Sequence, residues 1–433
     1  MPCKAYKASV IHFLDNPGKS ASHPENIEYF ENGLLVVEDG KVVKVGDYSS
    51  IFSQLNDDIE VVDFSDKLIV PGLIDTHIHY PQTDIIAAPG DQLLDWLDTF
   101  TFPAERAFNN QAVADETADF FLNELLRNGT TTALVFATVH SQSVESFFSA
   151  AQKRQLRMIS GKVMMDRNCP DYLQDTPQSA YQDSKTLIEK WHGVDRLHYA
   201  VTPRFAPTSS NEQLAIAGKL LTEYDDLYLH THVAENLAEI EWVKKLFPDS
   251  RSYLDVYHQY GLLQARSVLA HCIHLDHDDK QLMQRTGSAC AFCATSNLFL
   301  GSGLFDVNDA WDYGVNVGVG TDIGGGTSFN LLQTLAESYK VTKLLGKSLS
   351  AYQALYLATL GGAKSLYLDD KLGNFAIGKE ADFVVLNFDS TPLIKRRIAN
   401  SSNLHEKLFP LMMLGDDRSV SAVYIMGELA KIH

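Results

Sequence analysis

The sequence predicts an α/β protein: a (β/α)8 TIM barrel with a small β-sandwich domain built from both chain ends. Three observations predict it. Eight short apolar or β-branched runs alternate with helix-like stretches through the middle of the chain. The first 70 residues and the end of the chain read instead as strands and tight turns. The 433 residues, 45% of them apolar, suffice for one barrel of roughly 250 residues and a smaller domain.

The elements follow in order. "GLLVVEDGKVVKVGD" is a hairpin signal, two alternating apolar runs about Asp39-Gly40. "KEADFVVLNFD" reads as a strand, and "SAVYIMGELAKI" as two strands turning at Gly427. Residues 1–70 and 372–433 are therefore assigned to one composite β domain, and 71–371 to the barrel. The eight barrel runs are "LIVPGLIDTHIH", "TTALVFATVH", "RMISGKVMMD", "LHYAVTPRFAP", "LYLHTHVAE", "SVLAHCIHL", "SACAFCATSN" and "VNVGVGTDIGG". Between them, stretches such as "ADETADFFLNELLRNG" repeat apolar residues at three- and four-residue spacing, the period of a helix. Strands that alternate with helices pair in parallel.

Charge and composition exclude several partner classes. A net charge of −19 repels phosphate backbones and anionic membrane surfaces, so no nucleic acid and no membrane partner are expected. "MPCKAYKASVIHFLDNPGKS" has no leader pattern, and no run of about 18 apolar residues exists to span a bilayer. Five cysteines, Cys3, Cys169, Cys272, Cys290 and Cys293, read as free thiols in a reducing cytoplasm.

A barrel of this kind keeps its active site at the C-terminal ends of its strands. The first run ends in His77 and His79. Residues i and i+2 of a strand face the same side, so both imidazoles can hold one ion. Taken alone the pair is weak, since two core histidines bonded to backbone would look the same. The other strand ends agree with it, however. Run five ends in His232 with Glu235 three residues on, run six carries His271, and run eight ends in Asp322. Imidazoles and one carboxylate converging from four strands suit Zn²⁺, with Fe²⁺ as the lesser alternative. His77, His79, His232 and Asp322 are the metal set. The ion activates a water, Asp322 accepts its proton, and Glu235 carries a proton to the substrate. His271 is either a further ligand or a neighbour that polarises the water, and the second role is favoured.

Other candidates read as structural. His230, one layer deeper on the His232 face, is a core histidine, as are His274, His140 and His198. Run four reads "AVTPRFAPT", with Arg204 and no lysine to bridge two metals, so one ion per chain is expected. Lys162 is a structural or ion-paired lysine. "CAFC" (Cys290 to Cys293) points its thiols to opposite faces if it lies on a strand, and both are packing residues.

The motifs "VPGLIDTHIH", "HTHVAE", "LAHCIH" and "GTDIGGGTSFNLL", in that order, resemble the amidohydrolase superfamily over essentially the whole chain. Within it, "THIHYPQ", "TFPAERAF", "RNGTTTALVFATVH", "TPRFAPTS" and "FCATSNLFLGSGLF" resemble the large, barrel-type guanine deaminases. The resemblance implies hydrolytic deamination of guanine to xanthine and ammonia in purine catabolism or salvage. It implies a zinc held by His77, His79, His232 and Asp322. Substrate contacts would come from Gln82, Arg204, Phe205 and Glu235, beside His232 and Asp322, and the chain would form a homodimer. The chemistry is consistent. Arg204 can donate to the guanine carbonyl, Gln82 offers a donor and an acceptor, and Phe205 a ring face. Trp96 and Phe100, in "LLDWLDTFTFP", are expected in a lid or pocket wall. Two rivals stand beside this: another amine on the same fold and metal, and a binding or scaffolding protein on a dead barrel. A scaffold of that kind loses metal ligands, and here each expected ligand residue is in place.

Overall fold

Strands β1 (Lys4–Phe13), β2 (Ile27–Glu38), β3 (Lys41–Asp47) and β4 (Glu60–Pro71) open the chain. The computed structural model describes residues 3–56, 59–90 and 92–431. Asp39 and Gly40 join β2 to β3 with φ values of 50° and 75°, the left-handed pair that a two-residue hairpin turn needs.

Nine strands follow: β5 (Leu73–His79), β6 (Thr130–Phe136), β7 (Arg157–Gly161), β8 (Val163–Met164), β9 (Leu197–Pro203), β10 (Tyr228–Val233), β11 (Ser267–His271), β12 (Ala289–Phe292) and β13 (Val317–Val319). Each of the eight apolar runs contains one of them, the third being divided into β7 and β8. They form one sheet in the order β5-β6-β7-β9-β10-β11-β12-β13, with β8 paired to β9. From β7 to β13 the neighbouring strands pair in parallel. The ring closes where the chain leaving β13 meets β5. The Asp322 amide donates to the His77 carbonyl (2.9 Å) and the His79 amide to that of Ile323 (3.2 Å). The Thr76 hydroxyl donates to the Val319 carbonyl at 3.0 Å. This is the expected (β/α)8 barrel.

The last strands are β14 (Phe383–Asn387), β15 (Val420–Ile425) and β16 (Glu428–Leu429). β15 and β16 turn at Met426-Gly427, again with left-handed φ values of 50° and 74°. They join the first four in a single seven-stranded sheet, β16-β15-β14-β4-β1-β2-β3. Where the sequence predicts a small β-sandwich, the two chain ends build one sheet with apolar residues on both faces. Tyr6, Ala8 and Val10 pack with Leu35, Val37 and Phe383. Ala5, one residue out of phase, packs with Leu34, Val36 and Ile51 on the other face.

The run "LIVPGLIDTHIH" does not continue as one strand. It breaks at Gly72, whose amide donates to the Asp382 carbonyl at 2.9 Å. A Cβ there would stand 2.1 Å from the Thr131 hydroxyl, so the chain passes at a distance only glycine allows.

Two compact units can be delimited. One comprises Met1–Ile74, Asn123–Thr132 and Asn330–His433, the other Asp75–Leu122 and Ala133–Phe329. Residues 330–371, assigned from sequence to the barrel, group in this division with the first unit. Helices Leu331–Leu344 and Ala351–Leu357 pack there against helix Leu404–Leu414. Among the described residues, no helix is long and apolar enough to cross a membrane.

Candidate active site

β5 is buried along its whole length, and its period of two aims Asp75, His77 and His79 to one side. His77 Nε2 lies 3.2 Å from His79 Nε2, which lies 3.3 Å from His232 Nε2 at the end of β10. Asp322 Oδ1, just past β13, is 3.1 Å from His77 Nε2 and 3.4 Å from His79 Nε2. The four expected ligands are therefore brought together, with ligand atoms of His77, His79 and His232 all within 4.8 Å of one another.

The opposite ring nitrogens explain this convergence. His232 Nδ1 donates to the Arg204 carbonyl at 2.7 Å. His77 Nδ1 is 2.7 Å from His230 Nε2, and His79 Nδ1 is 3.1 Å from the Gln82 amide nitrogen. With their outward nitrogens engaged by the protein, His77 and His232 turn their Nε2 atoms to one point, where His79 Nε2 also stands. Burial lowers the pKa of His77 and His232 and brings that of His79 to about 3, so the rings are neutral. Three neutral, mutually facing nitrogens beside a carboxylate form a nitrogen and oxygen donor set that fits one divalent cation.

Other residues complete the basin. His271 Nδ1 donates to Asn297 Oδ1 at 2.8 Å. Its Nε2 then faces two carboxylates, Glu235 Oε2 at 3.3 Å and Asp322 Oδ2 at 3.8 Å. The Ser302 hydroxyl donates to Glu235 Oε1 at 2.9 Å. The Glu235 and Asn236 amides donate to Glu239 Oε2, each at 3.1 Å, and the Tyr253 hydroxyl donates to Glu239 Oε1 at 2.7 Å. Gln82, Arg204, Phe205, Glu235 and Glu239 line a cavity beside the histidine cluster, with Leu93, Trp96 and Leu97 among its apolar wall. Phe100, paired with Trp96 in the sequence reading, packs partly buried against the same apolar cluster.

Burial, then the Asp322 charge, raises Glu235 to about 8. Burial and the Glu235 charge raise Glu239 to about 7. Burial also lifts Asp75 to about 7, against hydrogen bonds from Thr321 and the His77 amide. Burial alone would raise Asp322 too, but the neighbouring imidazoles hold it well below the usual range.

A pH prediction follows. A buried acid with a raised pKa keeps its stabilising proton below its unfolded pKa and loses it as pH climbs through the folded value. Buried histidines held neutral act oppositely, costing stability below about pH 6.5. Chelator-treated protein will therefore be most stable near pH 6.5 and lose on the order of 2 kcal/mol by pH 8, as Asp75, Glu239 and Glu235 ionise. Thermal unfolding at both pH values, with and without added Zn²⁺, checks this; the alkaline loss should shrink when a cation balances the carboxylates. A flat profile for the metal-free chain would contradict it.

Sequence reasoning missed four participants. Asp75 continues the His77, His79 alternation, which was its signal. His230 is a core residue as expected, and in addition it engages His77 directly. Glu105, in helix Phe102–Arg106, is fully buried and pairs with Arg204; no strand periodicity marks it. The sequence places Cys293 on a strand as a packing residue, but β12 ends at Phe292. Its thiol consequently joins His77, His271 and Asp322 with ligand atoms within 4.8 Å of one another. Burial, reinforced by Asp322, holds that thiol well above its usual pKa and therefore protonated. Lys162 pairs with Asp175 and His274 Nε2 donates to the Ser302 carbonyl, as structural residues. His140 and His198 do not line the cavity.

Residues 68–430 match the model of the amidohydrolase family. The chain is 56% identical over 429 residues to a guanine deaminase of Escherichia coli strain K12, covering 98% of this chain and 97% of that one. A solved E. coli guanine deaminase superposes with a TM-score of 0.96 at 53% identity, covering 100% of this chain and 99% of that one. A guanine deaminase from C. acetobutylicum, solved with guanine bound in its active site, gives 0.90 at 31% identity, covering 99% and 100%.

Proposed function

The chain belongs to the amidohydrolase family, and on that premise we propose that it hydrolyses guanine to xanthine and ammonia. One observation carries the reading: the His77, His79, His232 and Asp322 cluster opens into a cavity whose wall holds Gln82, Arg204, Phe205 and Glu235. These are the groups that a flat, neutral base with a carbonyl and a strip of donors and acceptors requires. The near full-length likeness to guanine deaminases supports the same substrate.

His77, His79, His232 and Asp322 would hold one Zn²⁺, the donor set favouring zinc over iron. When bound, the ion supplies the Lewis acidity that makes water nucleophilic at neutral pH. The protein's own groups do the rest. Phe205 offers its ring face to the base, Arg204 donates to the carbonyl oxygen, and Gln82 pairs with the polar edge. Asp322, ionised, accepts a proton from the attacking water. Glu235, at about 8, arrives protonated and donates to the ring nitrogen beside the amino-bearing carbon. Asp322 then passes the water's proton to the amino group, and the C–N bond breaks to release ammonia. The added hydroxyl becomes the new carbonyl as its proton returns to Glu235, the ring nitrogen keeping the proton it received. His271, between Glu235 and Asp322, orients the two carboxylates.

We place the catalytic part in residues 71–371, which contain every residue of this site. The five free thiols support a reducing cytoplasmic location, and the resemblance supports a homodimer and a place in purine catabolism.

Ammonia release from guanine, adenine, cytosine and ammelide by the metal-loaded chain tests the function. Rapid turnover of guanine, with the others slow, is expected. Turnover of another amine with silence on guanine would keep the metal chemistry and overturn the substrate.

A further inference from the structure

We infer that Glu105 is the residue that makes the pocket select a carbonyl-bearing base, by fixing the charge and aim of Arg204. The inference rests on the guanine reading above. Arg204 and Glu105 are both almost fully buried, at 2% and 0% exposure. Arg204 Nη1 donates to both Glu105 oxygens, at 2.9 and 2.8 Å. This is one nitrogen shared by a carboxylate, not the two-nitrogen fork of a bidentate pair. Nε and Nη2 stand outside the contact, and Arg204 lines the cavity.

The same short helix holds the guanidinium a second time. Its carbon lies 5.4 Å from the Phe102 ring centroid, within range of a cation–π contact. Phe102 and Glu105 are three residues apart and so share a helix face. The guanidinium is thereby held at an edge and over a ring. The Gln82 amide donates to Glu105 Oε1 at 3.4 Å, while the Gly324 amide donates to Gln82 Oε1 at 3.3 Å. One carboxylate orients both side chains assigned to the polar edge of the base.

The electrostatics point the same way. A buried guanidinium beside a divalent-cation site needs a counter-charge. Without Glu105 it would turn toward the remaining carboxylates of the cavity and lose its aim. Glu105 does not itself touch the base; it is a positioning residue.

The test compares the metal-loaded parent, Glu105→Gln, Arg204→Gln and the double variant. Kinetics with guanine are set against competitive inhibition by 2-aminopurine, which carries the amine but no carbonyl. Glu105→Gln should raise KM for guanine about ten- to a hundredfold, the effect of a lost charged hydrogen bond. The inhibition constant of 2-aminopurine should barely move. The double variant should lose much less on guanine than the two single losses combined, since Glu105 acts mainly through Arg204, with only its weaker contact to Gln82 left to lose. Equal losses for both ligands, or additive losses in the double variant, would overturn the role. If Glu105→Gln does not fold, Glu105→Asp keeps the charge and withdraws it by one methylene. Its guanine KM must then rise relative to the 2-aminopurine constant, and an unchanged ratio overturns the proposal. A parent silent on guanine would overturn the proposed function and this inference together, whereas parent turnover with an unshifted ratio would overturn only Glu105.

Discussion

Glu235→Gln will lower kcat on guanine by about 10²- to 10⁴-fold, the range for a lost positioned proton carrier, and leave the metal content unchanged. The substitution is chosen for shape. Glutamine can still accept the Ser302 hydroxyl that Glu235 Oε1 accepts at 2.9 Å. It can also donate to His271 Nε2 in place of a protonated carboxyl, and its backbone amide still reaches Glu239. What disappears is a proton that can be handed over. Because Glu235 is held near 8 by burial and the Asp322 charge, the parent's activity should fall on the alkaline side as that proton is lost. The variant's residual rate should lack this limb. Steady-state kinetics from pH 6 to 9, with metal analysis of each sample, makes the check. Near-parent turnover by a metal-replete Glu235→Gln would remove it as the proton carrier.

Asp322→Asn will act on two steps at once. It removes the anionic ligand from a set that otherwise holds three neutral imidazoles, so metal affinity should fall by at least the 10- to 100-fold seen when supporting partners are lost. It also removes the acceptor of the water's proton, which costs about a further 10²-fold or more even with metal in excess. The backbone should tolerate the change. Asp322 has a φ of 53°, a left-handed conformation that asparagine adopts readily. Its amide bond to the His77 carbonyl, at 2.9 Å, stays. Metal retention after dialysis and kcat at saturating Zn²⁺ separate the two losses. A variant that keeps its metal through dialysis and turns over normally would exclude Asp322 from both roles.

The legible part of this site was the part on strands. His77, His79, His232, His271 and Asp322 stand at or just past strand ends, where a period of two and the barrel rule predict which side chains meet. Glu235 follows β10 by two residues and shares that logic. Glu105 comes from a helix 23 positions from Gln82, and no sequence period connects a loop helix to a strand end; only the fold brings them together. Cys293 was misjudged because the strand was carried one residue too far, and a single residue reverses the face of a side chain. The break at Gly72 was hidden for the opposite reason: the apolar run continues smoothly while the chain passes from one sheet to the next. His230 was placed in the right layer, but its hydrogen bond to His77 depends on ring orientation, which spacing does not encode.

The seam between β5 and β13 has a kinetic consequence. Thr321 donates to Asp75, 246 positions earlier in the chain, and the proposed ligands His77 and Asp322 lie on the same two edges. The cradle therefore exists only once the barrel has closed, a contact of very long range whose loop-closure cost must be met first. Apo folding and metal capture are thus ordered in time. A ribosome-bound chain still lacking its eighth strand has no complete donor set, and the rate of metal uptake during refolding should report the moment of ring closure.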